Sequence, residues 1–332
     1  MSSVRKNPSM HDVAKVAGVS HQTVSRVING STNLRPETRD RVTAAIEELG
    51  YRRNMAARAL VTGRTHAIGV LTPGEPNFGK MSSVQAVEQA TREAGYFPLV
   101  TSTSSESDAI REALDFLMDR SIEALVVVAP HDSVLKQLQI LDARLPVITL
   151  QTGGYDENRA VAIDQVAGVR KAIDYLRSMG HVRIQHVSGP ADYFEAQIRR
   201  GAFDRAVAEY GLATFETLEG DWTADSGYAC GGRIDADATA VFCSNDQMAL
   251  GLIHALSDAA RNVPSDVSVV GFDDIPESAH SLPPLTTIHQ DFEGVGHRAV
   301  EMILAQLGDE DLPDGAPLAT WLVERASVAR IS

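Results

Sequence analysis

From residue 66 onward the chain alternates short apolar runs with longer amphipathic stretches, and it does so in two successive sets. HAIGVLT at 66–72, FPLVTS at 97–102, ALVVVA at 124–129 and PVITL at 146–150 read as strands, with helices expected at about 80–95, 107–120 and 133–143. The pattern restarts with AVAI, a helix over 165–179, RIQHVS, a helix over 192–210, TAVFC, a helix over 245–260 and VSVVGF. Apolar strands separated by helices demand parallel sheets covered on both faces. Two such sets predict two similar α/β lobes, with any ligand beyond the carboxyl ends of the strands. Several polar or aromatic residues stand near such ends: Gln151 after PVITL, Asn245 after TAVFC and Asp273 after VSVVGF. Arg199 lies in the helix after RIQHVS, Trp222 in GDW, and Gln290 just after LTTI. A sugar needs this mixture, planar polar groups for paired hydroxyls and an aromatic face for its C–H surface. Taken singly, Asp273 equally suits a turn cap, Arg199 a surface charge and Trp222 a core position.

The first fifty residues follow other rules. Ser9 and Asp12 have the spacing of a capping box, Val13, Val16 and Ala17 form one apolar stripe, and Gly18 suits a left-handed stop. Ser20 can cap a second helix running to Ile28 and ended by Asn29-Gly30. A third helix starts near Pro36 and closes at Gly50, with Val42, Ala45, Ile46 and Leu49 on one face. Two short helices around a glycine turn match a helix-turn-helix, whose second helix enters the DNA major groove by its N-terminal residues. Those residues are His21, Gln22 and Arg26, of which Gln suits adenine and Arg suits guanine. An ordinary helical hairpin is the competing reading. YRRNMAARALVTGRT follows, too short to hold a helix alone in water, and is expected to order on binding with Leu60 as a minor-groove wedge.

Charge supports the nucleic-acid reading once it is divided. The net charge of −14 hides eleven Lys and Arg against five Asp and Glu in residues 1–64, a net +6, leaving −20 for the rest. Phosphate affinity follows local charge, so a basic head on an acidic body confines DNA contact to the head. No run of eighteen apolar residues is present and MSSVRKNPSMHD has no apolar core, so neither a transmembrane helix nor a signal peptide is expected, and the cytoplasm is the predicted compartment. Cys230 and Cys243 read as reduced packing residues, with no metal site and no cofactor expected. Dinucleotide-, P-loop-, zincin- and hydrolase-elbow motifs are missing, and His181, His186, His254 and His289 lack metal spacing, which argues against an enzyme.

DVAKVAGVSHQTVSRVING, then ETRDRVTAAIEELGY and NMAARAL, together with GDWTADSGY, SNDQMALG, SVVGFDD and PPLTTIHQDF, resemble the lactose-repressor (LacI/GalR) family of bacterial transcription regulators from about His11 to about Ser327. The resemblance implies an all-α helix-turn-helix headpiece over 1–52, a hinge helix or linker over 53–64, and an effector-binding core over 65–332. That core is two Rossmann-like subdomains of the type I periplasmic-binding-protein kind, about 65–162 with 291–318 and about 163–290 with 319–332. Carried over residue by residue, Ser20, His21, Gln22, Thr23, Ser25, Arg26, Asn29, Asn54, Ala57 and Leu60 fall on DNA-contacting positions. Gln151, Arg199, Trp222, Asn245, Asp273, Gln290 and Phe292 fall on positions that line the effector pocket. The implied partners are a near-palindromic double-stranded operator, a small sugar, and a second copy of the chain in a homodimer, without a membrane.

The sequence also departs from the pattern. Val128 and Gln151 stand where the lactose-binding member has an asparagine and an aspartate, so the resemblance leaves a β-galactoside and a different sugar both open as the effector. Arg35 replaces a small capping residue, and Arg53 stands where proline is common and can add a phosphate contact. WLVERASVARIS is followed by no apolar heptad, so a dimer rather than a tetramer is expected, with apolar residues near 80–95 and 245–260 as candidates for its surface or for the core. A sugar that closes the cleft and thereby unpairs the linker helices is the expected switch, with induction preferred to corepression.

Overall fold

The structure is a computed structural model and describes residues 8–28, 31, 34–52, 59, 63–74, 77–104, 106–128, 145–150, 159–213 and 215–331. Its contacts divide the chain into two compact units, Met1–Thr65 and His66–Ser332. The expected helix at 133–143 and the position of Gln151 lie outside the described residues, as do Asn29, Asn54, Ala57 and Leu60.

The first unit has three helices, α1 (Met10–Ala17), α2 (His21–Ile28) and α3 (Pro36–Leu49). Ser9 and Asp12 close a reciprocal capping box: the Ser9 amide donates to the Asp12 carboxylate at 2.8 Å and the Asp12 amide to Ser9 Oγ at 3.4 Å. Gly18 ends α1 at φ +62°, a backbone that a side chain would strain. Val13, Ala14, Ala17, Val24, Val42 and Ala45 make the small core. Pro36 opens α3, while Arg35 before it makes no side-chain cap.

The second unit contains two parallel sheets. The first runs in the order β2-β1-β3-β4-β5 and is built from β1 (Ala67–Pro73), β2 (Phe97–Thr103), β3 (Ala124–Val128), β4 (Val147–Leu150) and β5 (Ala160–Val161). The uninterrupted apolar run of β3 follows from burial on both faces: Ala124, Val126 and Val128 join one core cluster and Leu125 and Val127 the other. Helix α4 (Phe78–Glu93) covers this sheet on one side and α5 (Ser107–Met118) on the other, through Val87 and through Ile110, Leu114 and Leu117.

The second sheet runs β7-β6-β8-β9, from β6 (Ile184–Ser188), β7 (Leu218–Glu219), β8 (Ala240–Cys243) and β9 (Ser268–Val270). Helices α6 (Gln165–Ser178) and α7 (Phe194–Tyr210) cover one face, and α8 (Ala224–Gly231) and α9 (Asp246–Asp258) the other. Helix α8 escapes a reading by propensity because ADSGYACG carries two glycines. Contact with α9 explains them, since a Cβ at Gly227 would stand 2.1 Å from the Met248 carbonyl and one at Gly231 2.4 Å from Ala255 Cβ. Met248, Ala249, Leu252, Ile253, Ala255 and Leu256 of α9 are buried in the core of this half, so they are not available to a dimer surface. Cys230 and Cys243 are free and buried.

The chain passes between the two halves at three neighbouring places. Residues 162–164 lead from β5 into α6, Gln290–Asp291 lead from β10 (Thr287–Gln290) into α10 (Phe292–Gly308), and Leu318 leads into β11 (Thr320–Val323). Helix α10 returns to the first sheet, placing Val295, Ala299, Met302 and Ile303 beside Ile68, Val70 and Ile148. The Leu318 amide donates to the Ala162 carbonyl at 2.8 Å and the Asp164 amide to the Leu318 carbonyl at 2.9 Å, while β10 and β11 pair antiparallel. Neither of these two strands is evident from the alternation in the sequence, because among the strands they pair only with each other, with the whole of α10 between them in the chain.

Asp246 anchors the second crossing. Its buried carboxyl accepts from the Ile275 amide at 2.9 Å, Ser278 Oγ at 2.7 Å and Thr287 Oγ1 at 2.5 Å. Burial nonetheless pushes it up to about 6. Asp246→Ala strands three buried donors, and the expected loss is roughly 2–4 kcal/mol, read as a lowered midpoint in urea denaturation with an unchanged slope.

Candidate functional site

A cleft of about 720 Å³, counting its open mouth, lies where the carboxyl ends of the two sheets face each other. Arg199, Trp222, Asn245, Asp273, Gln290 and Phe292 all line it. Arg199 comes from the second turn of α7 and is 4% exposed, which removes the surface-charge reading. Its Nε donates to Gln165 Oε1 at 2.7 Å and its Nη1 to the Ser244 carbonyl, with Asp273 Oδ1 3.8 Å from Nη1. The guanidinium also sits 4.0 Å over the Phe272 ring and 5.6 Å over that of Trp222. Gln290 Nε2 donates to Asp273 Oδ1 at 2.6 Å, and Gln165 Nε2 donates to Gln290 Oε1 at 2.8 Å. The result is a closed ring of planar polar groups drawn from four elements.

Asp273 and Asp274 both take positive φ, +115° and +59°. Strain of this kind persists only where its surroundings hold it. Here the Asp273 carboxyl turns to the cleft, whereas Asp274 is gripped from outside it by Arg325 Nη2 at 2.6 Å and His289 Nδ1 at 2.9 Å. Burial pushes the Asp273 carboxyl up to about 7, against the pull of Arg199. Burial likewise lowers Arg199, with Asp273 opposing.

Asn245 has a double role. Its Oδ1 accepts from the Met248 amide at 3.0 Å and caps α9, while its Nδ2 donates to the Trp222 carbonyl at 2.9 Å. Trp222 is held at φ +74° with its ring against Gly189, where a Cβ would meet it at 2.2 Å. The indole Nε1 is buried with no hydrogen-bond partner among the described residues. Phe292 opens α10 and meets Phe78 edge to face at 5.9 Å. Val128 and Leu150 add an apolar patch at the ends of β3 and β4.

The sequence reading missed Gln165, Tyr193, Lys80, Ser83 and Glu195, which line the same cleft. Gln165 was open to discovery, since it opens a helix four residues after a strand. The others sit on helices whose facing depends on tertiary packing. His186 proves structural: it packs in a cluster with Phe203 and Phe242, bonds Ser244 Oγ at 2.8 Å, and is pushed down to about 3 chiefly by burial.

On the first unit, Ser20 Oγ accepts from the Thr23 amide at 3.2 Å and so caps α2. His21, Gln22 and Arg26 are exposed along that helix, Thr23 and Ser25 are half-buried, and Val24 turns into the core. Exposed donors and acceptors on the first turns of a short capped helix can reach base edges.

Because Asp273 is raised, the folded state holds a proton that the unfolded chain releases between about pH 4 and pH 7. Its contribution to stability therefore falls as pH rises through that window. Asp273→Asn should flatten the decline of Tm between pH 4 and 7, leaving the part due to Asp246; thermal denaturation across that range checks it.

Comparison with known proteins agrees with this geometry. Residues 9–54 match the family described as bacterial regulatory proteins, lacI family, and residues 173–328 match the periplasmic binding protein-like domain. The HTH-type transcriptional repressor PurR of Histophilus somni (strain 2336) is 34% identical over 91% of this chain and 93% of its own. The lac repressor dimer bound to operator and the anti-inducer ONPF is 29% identical with a TM-score of 0.86, over 98% of this chain and 100% of that one. The transcriptional regulator CelR in complex with cellobiose is 29% identical with a TM-score of 0.72, over 96% and 99% of the two chains. These relatives are regulators and not enzymes, and with a headpiece and a two-sheet core of the same kind the chain belongs to the lacI family of DNA-binding transcriptional repressors.

Proposed function

We propose that this repressor answers to a small sugar held in the cleft, and that it binds a near-palindromic operator as a homodimer. The observation that carries the sugar reading is the ring of Arg199, Asp273 and Gln290 next to Asn245 and the Trp222 indole, with Phe292 on the other half. Planar side chains that each offer two polar atoms suit vicinal hydroxyls, and the ring faces suit the C–H surface of a pyranose. The similar regulator holding cellobiose and the similar dimer on operator support the two parts of the reading. On the DNA side, His21, Gln22 and Arg26 read base edges, with Ser20, Thr23 and Ser25 beside them. Asn29, Asn54, Ala57 and the Leu60 wedge, outside the described residues, complete the proposed interface.

The switch follows from the three crossings. A ligand bridging both walls favours one angle between the halves, and it shifts the equilibrium only by its preference for that state. Induction is the preferred sign, with the sugar releasing DNA.

The test begins with duplexes selected from a random pool by the full-length protein. Binding should be salt-sensitive, and Gln22→Ala should cost about 1–3 kcal/mol on the best site and relax one base position. Arg199→Ala should keep the duplex affinity and lose the response to every sugar that releases wild type. A fully responsive Arg199→Ala, or wild type with no selective binding to any duplex, would sink the proposal.

A further inference from the structure

The two strained aspartates grip the crossing strand β10 from opposite sides. Successive side chains of a strand point to opposite faces, and β10 uses both. Gln290 turns into the cleft, where its Nε2 donates to the Asp273 carboxyl at 2.6 Å. His289 turns outward, where its Nδ1 bonds the Asp274 carboxyl at 2.9 Å. Consecutive acids are thus matched to consecutive residues of the crossing, while the Asp273 amide donates to the Ile288 carbonyl at 2.8 Å.

The outer side also gathers the third crossing. Strand β11 places Trp321 directly opposite His289, with the two rings stacked at 4.1 Å and 20°. Trp321 is half-exposed, so the core does not account for its ring. Just beyond β11, Arg325 Nη2 donates to Asp274 Oδ1 at 2.6 Å and its Nη1 to the Leu285 carbonyl at 2.8 Å. The Arg325 amide donates to Thr286 Oγ1 at 2.9 Å. One arginine therefore ties the segment after β9 to the approach to β10 and the exit from β11. The Asp274 and Arg325 side chains are 16% and 18% exposed, so solvent screens this pair far less than an ion pair on an open helix face.

Two successive non-glycine residues at positive φ do not hold themselves there. Relaxation of this backbone would swing the Asp273 carboxyl out of the cleft. From inside, Gln290 opposes that with one hydrogen bond, and Arg199 stands at 3.8 Å, beyond hydrogen-bond length. From outside, Asp274 is held by two direct bonds at 2.6 and 2.9 Å. The outer grip is the larger restraint.

We propose that Asp274, His289, Arg325 and Trp321 form a clamp behind the cleft, positioning residues that hold the Asp273 carboxyl toward the effector and fasten the second crossing to the third. None of the four lines the cleft, so they act on a ligand through Asp273 and Gln290. The proposal rests on the reading of the cleft as the effector site.

The first test on the full-length protein needs no ligand. Asp273 is acted on by Arg199 and Glu195 of α7, Asp246 at the start of α9 and Gln290 of β10. Its carboxyl, pushed up to about 7 by burial, contributes stability that is present below about pH 4 and lost as pH rises to 7. Arg325→Met and Trp321→Ala should each lower Tm and flatten its decline between pH 4 and 7 to that of Asp273→Asn. Neither should flatten it further in the Asp273→Asn background. A clamp that serves stability alone would lower Tm equally at every pH.

Isothermal titration with lactose, cellobiose, glucose, galactose and adenine gives the second readout. The probe that wild type binds best should bind both variants ten-fold or more weakly, while affinity for the selected duplex changes less than three-fold. Trp321→Phe, which keeps an aromatic face on His289, should retain the wild-type slope and affinity. Wild-type pH slopes in both variants, or probe affinity within three-fold of wild type, overturn the clamp. An Asp273→Asn slope equal to that of wild type overturns it as well, since the carboxyl would then not be held in burial. If no probe binds wild type, the pH slopes still decide. Adenine as the best probe would remove the sugar reading and leave the clamp standing.

Discussion

A guanidinium almost fully withdrawn from water is the constraint around which this core is arranged. Arg199 cannot shed its charge, so its burial requires acceptors on several sides at once. Gln165 supplies one from the start of α6, Ser244 another from the end of β8, and Asp273 a third beyond β9. Gln290, on the strand that leaves for the other half, then bonds both Gln165 and Asp273. Packing Phe272 under the guanidinium fixes its plane. The strained pair Asp273 and Asp274 is the backbone consequence, one carboxyl turned inward to this ring and the next turned outward to Arg325 and His289.

The ring also adjoins one of the crossings between the halves. Its last member, Gln290, directly precedes Asp291, whose carboxyl caps α10 by accepting from the Gly294 amide at 2.8 Å. Helix α10 is packed into the first sheet. A change in hydrogen bonding inside the cleft is therefore one residue from the helix that carries the first half. In the proposed switch the bistable element is this set of three crossings. Backbone hydrogen bonds between Ala162, Asp164 and Leu318 hold the first and third of them in register.

Charge is distributed to match these roles. The head carries a surplus of cations and the remainder a surplus of acids, so a polyanion is drawn to one end only. Inside the cleft, cations and acids stand side by side among the described residues, with Arg199 facing Asp273 at 3.8 Å. Long-range attraction and short-range recognition are thus assigned to different parts of one chain.

Local rules made much of this legible in the sequence. Ser9, Gly18, Ser20, Pro36 and Gly50 mark helix ends because capping and left-handed backbone are properties of a few neighbouring residues. Apolar runs such as ALVVV mark strands buried on both faces because the side chains must alternate between two cores. Even the candidate cleft residues are foreshadowed, since Asn245 and Asp273 lie within three residues of the ends of their strands. What tertiary structure alone decided is which groups meet across long separations in the chain. Gln165 with Gln290, Lys80 with Tyr193, and Gly227 with Met248 are pairs that no local pattern encodes. The facing of α4, and with it the polarity of the second wall of the cleft, depends on how α10 returns to the first sheet. Periodicity tells which stripe of a helix is buried; only packing tells what that stripe is buried against.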